Sequence, residues 1–243
     1  MKRCIIVNLE PDSLDRPEEP MVKMFKMLIT SLRCYGGKHK DIPVFGVNFS
    51  SQDFKKEDKI FFKKNNVEII TNHSFLFLTS NSPLVIGRHL APIVLGSEKL
   101  KEYDELIYLD VDVLILNEPI FHEKLSSSIV TDQIAFDYLS WEKNYAKYNE
   151  IHKRLKHHSP YRNYYSQWIG NINQYNFNIY EKIFHRIIEE KELHNNIFPR
   201  WGSVIMNEII FEEKIQVLHP KTMSGIMPYR DTWDEESSII HYD

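Results

Sequence analysis

Two aspartates separated by a single residue stand in an otherwise apolar run, Glu105-Leu-Ile-Tyr-Leu-Asp110-Val111-Asp112-Val-Leu-Ile-Leu116. In a strand, alternate side chains share a face, so Asp110 and Asp112 converge while Val111 points away. Two carboxylates at the mouth of an apolar strand are costly unless a cation or hydrogen-bond donors compensate them. A hard divalent ion, Mn²⁺ or Mg²⁺, held by one or two carboxylates and by the phosphates of a substrate, meets that need. A strand that ends in a solvated acidic turn is the plainer alternative. A predicted helix bearing Arg88 precedes the strand and strengthens the ligand reading.

The stretch Tyr-Leu-Asp-Val-Asp-Val-Leu-Ile, with Gly87-Arg88-His89-Leu90-Ala91-Pro92 upstream of it, resembles GT-A glycosyltransferases. Within them it resembles glycosyltransferase family 8, the group of glycogenin and of bacterial lipopolysaccharide galactosyl- and glucosyltransferases. The resemblance is concentrated in residues 83–118. It implies that Asp110 and Asp112, with Val111 between them, bind Mn²⁺ or Mg²⁺ and the diphosphate of a nucleotide sugar, usually UDP-linked. It also implies that Arg88 contacts the donor. Asp137, in Ile134-Ala-Phe-Asp137-Tyr138, matches an aspartate that the family keeps near the transferred sugar, although an aspartate capping a turn would look the same. His241 follows the apolar pair Ile239-Ile240 and matches the family's last metal ligand. Neutral imidazole suits Mn²⁺. The family's lysine-bearing continuation after that histidine has no counterpart in this sequence.

A larger departure lies in Trp201-Gly202-Ser203-Val204-Ile205-Met206-Asn207, which resembles the family's Asp-Gln-x-x-x-Asn segment. With Asn207 aligned, Gly202 and Ser203 occupy the positions of the acid and the amide that face the anomeric carbon. Ser203 then serves there, or a polar group comes from elsewhere, such as Asp132, Gln133 or Gln167. The resemblance implies a hexosyl transfer that retains anomeric configuration. An inverting route would instead need a general base for the acceptor hydroxyl.

Asn8 and Leu9 end the first predicted strand, placed to meet a nucleotide base or ribose, or simply to turn the chain. Residues 138–168 mix aromatic and basic side chains, among them Tyr138, Trp141, Tyr145, Tyr164, Tyr165 and Trp168. Flat rings with polar rims stack on sugars, so this segment reads as an acceptor-side wall; anchoring a loop to the core is the other use of such rings.

The elements that must position these residues alternate. Apolar runs at residues 3–9, Ile42 to Phe49, Val67 to Ile70 and Leu106 to Leu116 predict strands. Met21, Phe25, Leu28, Ile29 and Leu32 recur at helical spacing before Gly36-Gly37, and residues 53–65 predict an amphipathic helix. Pro83 opens a further helix that Pro92 is expected to kink or divide. Later, Ile129 to Phe136 reads as a strand, Glu142 to Lys156 as a polar helix or ordered loop, Tyr180 to Leu193 and Ser203 to Phe211 as helices, and Ile215 to Leu218 as a short strand. The alternation predicts an α/β fold of GT-A (Rossmann-like) type, a mostly parallel sheet flanked by helices, with ligands at the carboxyl ends of its strands. Residues 1–243 are read as one domain, 1–118 binding the nucleotide sugar and 119–243 forming the acceptor side.

Composition narrows the partners. The 243 residues carry a formal charge of −4, with 42% hydrophobic and 26% charged residues, and the pI is near 6.3. That balance opposes wholesale binding of nucleic acid. Cys4 and Cys34 are too few for a disulfide framework, and no Cys/His cluster implies zinc. The apolar start Cys4-Ile5-Ile6-Val7 is too short for a signal peptide, and no apolar run approaches the ~20 residues of a membrane span. A cytoplasmic protein acting on a nucleotide sugar and a glycan, glycoprotein or glycolipid acceptor is expected. Oligomeric state is left open.

Two rivals remain. Strand-borne Asp-x-Asp also occurs in haloacid-dehalogenase-like phosphatases, where the first aspartate is a nucleophile. Their pair, however, lies in the first strand and precedes a Gly/Val-Thr step that this chain lacks. A catalytically impaired, carbohydrate-binding relative would keep the aspartates and tolerate Gly202-Ser203.

Overall fold

The computed structural model describes residues 1–12, 20–73, 83–119, 129–130, 132–135, 163–166, 169–190, 205, 209, 212–213, 217–218, 223–226 and 239–242. Only the backbone is described at 83–89, in the strands between 129 and 171, and in those beyond 216.

Strand β1 (Arg3–Asn8) is buried along its whole length after Arg3. A near-continuous apolar run suits a strand covered on both faces, and β1 lies at the centre of a five-stranded sheet. Its neighbours are β2 (Val44–Asn48) and, beyond it, β3 (Val67–Thr71) on one side. On the other side lie β4 (Glu105–Leu109) and β9 (Ile169–Ile172), giving the order β3-β2-β1-β4-β9. The first four are parallel, and β9 closes the sheet antiparallel to β4. The chain steps outward from β1 to β2 and β3, then returns past β1 to lay down β4. The strand order therefore reverses between β1 and β4, and an open α/β sheet has its natural ligand crevice at such a reversal, at the carboxyl ends of the strands.

Helices make the crossovers. Helix α1 (Met21–Tyr35) buries Met21, Val22, Phe25, Leu28, Ile29 and Leu32, one face at helical spacing. Helix α2 (Lys56–Lys64) packs Phe62 edge-on against Phe25, 5.7 Å between ring centres, and Lys26 reaches Asp58 at 2.5 Å. Helix α3 (Pro83–Lys99) continues through Pro92 rather than dividing there. Of the two outcomes expected at Pro92, division does not occur, and α3 lies against β1, β4 and helix α4 (Phe177–Glu189). Gly96 permits a close approach of α3 to α4: a Cβ there would stand 2.3 Å from the Phe177 ring.

The second half departs from the expected elements. The apolar run 106–116 is two strands, not one: β4 ends at Leu109, Val111 and Asp112 lie in a turn, and β5 (Val113–Ile115) belongs to another sheet. Residues 129–136 likewise form two strands, β6 (Ile129–Val130) and β7 (Asp132–Ala135). β7 pairs with β8 (Asn163–Ser166), and β6 pairs with β10 (Val217–Leu218). β11 (Met223–Ile226), β12 (Ile239–Tyr242) and β5 make a three-stranded sheet. Strands β8, β9 and β11 had no periodic signal; they are held as strands by their partners. The helix at 177–189 starts three residues before the expected Tyr180. Ile205, Ile209 and Glu212 are helical, with the two isoleucines fully buried. Residues 142–156 lie outside the described residues.

Candidate functional site

Strand β4 delivers Asp110 to the carboxyl edge of the sheet, immediately after the buried Leu109. Every β1–β4 pair keeps one register, Ile6 against Tyr108 among them, and its continuation brings Asn8 level with Asp110. Both aspartates are half-buried, while Val111 between them is 7% exposed. A buried valine at its middle pins the turn and holds the carboxylates on either side of it. Their placement thus comes from a turn between two strands and not from alternation along one strand. Unit charges ~5 Å apart at an effective dielectric of 20 interact by ~3 kcal/mol, so paired carboxylates in such a turn favour a cation.

Several contacts fix the turn. The fully buried Tyr108 donates its hydroxyl to Asp110 Oδ1 at 2.5 Å. Beyond the turn, the Ile115 amide donates to the buried Ser31 Oγ at 3.0 Å, and Ser31 Oγ donates to the Leu28 carbonyl at 2.8 Å. β5 is an edge strand, and the hydroxyl from α1 satisfies an amide that would otherwise face the interior unbonded. Past β5, Glu118 accepts the Lys38 amide at 3.1 Å and pairs with its ammonium at 3.3 Å. The Lys38 amide, followed by its side chain, holds the exposed Glu118 carboxyl below the usual carboxylate range. Gly37 beside it has φ +56°, and a Cβ there would meet the Glu118 side chain.

Asn8 is 5% exposed, and its Oδ1 has no hydrogen-bond partner among the described residues. Alternation along β1 and β4 puts Asn8 on the face of Ile6, Tyr108 and Asp110. A buried acceptor of this kind is costly until a donor meets it. Leu9 is fully buried and its amide donates to Val47 O at 2.9 Å, so its side chain belongs to the core. Asp12 Oδ1 accepts the Val22 amide at 2.8 Å, tying the loop after β1 to the start of α1.

His241 reaches the same region through the backbone. β12 runs antiparallel to β5 with His241 opposite Val113, the residue that follows Asp112. Arg88 lies on α3. The β7–β8 pair sets Asp132 opposite Ser166 and Gln133 opposite Tyr165. β7 also touches β11, which links that pair to the sheet containing β5. Asp137, Gln167 and Ser203 lie outside the described residues, as does the aromatic segment apart from 163–166. Among the described residues no three His, Cys, Asp or Glu side chains form a metal-holding group. The described donors are therefore the two aspartates, hard oxygen ligands of the type Mn²⁺ and Mg²⁺ prefer.

Two residues that hold the aspartate turn carry no chemical motif of their own: Tyr108 and Ser31, both buried. Tyr108 is two residues from Asp110, so strand alternation carried its signal. Ser31 stands in the buried stripe of α1, where a small polar residue among Leu28 and Leu32 is the only cue.

No protein-family model and no curated protein sequence matches the chain. Its structure is similar to that of mouse xyloside xylosyltransferase 1 in the apo form. The match covers 99% of this chain and 97% of that one, with a TM-score of 0.60 and 11% identity. The two share one fold. It is the expected α/β type, a mostly parallel sheet flanked by helices in one domain. Among the described residues no helix is long and apolar enough to cross a membrane.

Proposed function

We propose that this protein is a metal-dependent glycosyltransferase of the family 8 kind, moving a hexose from a UDP-linked or similar nucleotide sugar to a hydroxyl of a glycan, glycoprotein or glycolipid. The observation that carries the reading is the Asp110–Val111–Asp112 turn at the carboxyl edge of a parallel sheet, beside the β1–β4 reversal. The fold it shares with a xylosyltransferase supports the same class.

Asp110 and Asp112, with His241 from β12, would hold Mn²⁺ or Mg²⁺. When bound, such a cation stabilises charge on the leaving diphosphate as a Lewis acid. The protein's own residues bind and orient around it. Asn8 Oδ1 accepts from a donor of the base or ribose, which removes the cost of its burial. Arg88, on α3, would pair with the diphosphate, a role that guanidinium geometry suits. Asp137 and Ser203, or Gln167 in its place, serve the transferred sugar, with configuration retained. Residues 119–243 form the acceptor side.

A panel of nucleotide sugars, each with Mn²⁺, tests this by thermal stabilisation and by release of free nucleotide. A UDP-sugar stabilises the wild type and is turned over, and Asp112→Ala loses both effects while remaining folded. Full activity of that variant, or activity in excess chelator, refutes the reading. Stabilisation without turnover marks the binding-only relative that Gly202-Ser203 favours. Phosphate release from phosphomonoesters marks the phosphatase.

A further inference from the structure

We propose that Tyr108 is the positioning residue for Asp110 and thereby sets how tightly the site holds its divalent cation. The proposal rests on the reading of Asp110 as a ligand. The reasoning starts from the end of β4. Leu109 is the last residue of the strand and Asp110 lies beyond it, so the backbone ladder that stiffens β4 stops short of the aspartate. A side chain in that place keeps its rotamer only if something outside the ladder holds it.

Tyr108 supplies that hold. It is the bulkiest fully buried side chain among the described residues and shares the face of Asp110. It stands between β1 and β9 and is fully buried. Ile6 of β1, itself fully buried, stands at the same register, and directly across on β9 is Gly170, which brings no side chain against the ring. A ring packed in this way cannot swing out, so its hydroxyl is a fixed point, and a buried hydroxyl requires a partner. The partner is Asp110 Oδ1 at 2.5 Å, within the range of an O–H donor bonded to a carboxylate. A carboxylate offers about four acceptor positions, so accepting from Tyr108 is compatible with ligating a cation. The bond restrains both side-chain torsions of Asp110 from the interior side. Groups that orient a metal ligand in this way typically alter metal affinity by about 10- to 100-fold when removed.

The test uses Mn²⁺ alone as the probe, with binding read by electron paramagnetic resonance on the full chain. Wild type, Tyr108→Phe, Asp110→Asn and the double variant are compared, with unfolding midpoints measured alongside. Tyr108→Phe keeps the ring and is expected to weaken Mn²⁺ binding by at least about tenfold. In the Asp110→Asn background the same substitution is expected to change nothing further, because a positioning residue acts through the group it positions. Equal affinity of Tyr108→Phe and wild type overturns the proposal, and so does an equal loss in both backgrounds. Wild-type protein that binds no Mn²⁺ overturns the ligand reading of Asp110 as well, which separates the two failures. 4-Aminophenylalanine at position 108 restores a donor and carries the test on its own should the phenylalanine variant not fold. It retains affinity within about threefold of wild type, and a loss as large as tenfold refutes the role of the donor.

Discussion

Ser31 is not among the residues proposed to bind substrate, yet it is tied to the strand that leaves the aspartate turn, so Ser31→Ala makes a demanding test. The substitution removes the acceptor of the Ile115 amide on the edge of β5. A buried amide left without its partner costs about 1–3 kcal/mol. The bond from Ser31 Oγ to Leu28 O is lost too, but that carbonyl also accepts within helix α1, so little is added. Alanine returns up to about 0.5 kcal/mol through its better helix propensity. The net loss is then about 1.5 kcal/mol, taking a mid-range amide cost of about 2. At roughly 2–4 °C per kcal/mol for a chain of this size, the unfolding midpoint falls by about 3–6 °C. Thr30→Ala is the control, since Thr30 is exposed one position earlier in the same helix and gives the propensity gain without the loss. Differential scanning calorimetry of the two variants decides the matter. A midpoint for Ser31→Ala at or above that of Thr30→Ala refutes the reasoning. Because β5 pairs with β12 and begins next to Asp112, nucleotide-sugar affinity in the presence of Mn²⁺ is also expected to weaken in Ser31→Ala and not in Thr30→Ala.

Further outcomes follow from an ion pair and from the two cysteines. Arg3 and Glu105, side chains 8% and 5% exposed, form an ion pair across β1 and β4 at the edge away from the site. Glu105→Gln leaves a buried guanidinium without its countercharge and is expected to cost about 3–5 kcal/mol, whereas the double swap Arg3→Met with Glu105→Leu recovers most of that loss in urea unfolding. Cys4 is fully buried, and burial pushes its thiol from 9.0 up to about 12, while Cys34 is exposed. At pH 8 a thiol reagent should label one cysteine quickly and the other only on unfolding. The linked stability has a definite sign. Above pH 9 the unfolded thiol loses its proton while the folded one keeps it, so the unfolded state binds fewer protons and stability falls as pH rises from 9 towards 12. Cys4→Ala lacks that increment, and urea midpoints at pH 8 and pH 10 measure the difference.

Local pattern carried the first half of this protein. β1, β2, β3 and α1 were legible because each is a dense apolar run or a stripe at one period. The Asp-x-Asp pair was legible as well, since carboxylates in an apolar run contradict their surroundings. What alternation could not reveal was that the run 106–116 changes sheet in its middle. The Glu105–Leu109 part pairs with β1 and β9, the Val113–Ile115 part with β12, and each half alone looks like the same kind of strand. That change of partner makes the turn that holds Asp110 and Asp112, and Val111 is buried in it instead of pointing away from a strand face. At Pro92 the helix is not divided: propensity describes an isolated helix, while α3 is held by β1, β4 and α4.

The sequence by itself determined the class of fold, the carboxyl-edge position of Asn8 and the presence of a paired-carboxylate motif, because all three follow from residue type and short-range spacing. Only the tertiary structure decided which groups surround that motif. Tyr108 was within two residues of it, but its hydrogen bond depends on a ring buried between strands from both halves of the chain. Ser31 and His241 lie 84 and 128 positions from Ile115 and Val113, the residues they meet. No local pattern records such pairings, since they exist only once the sheets have formed.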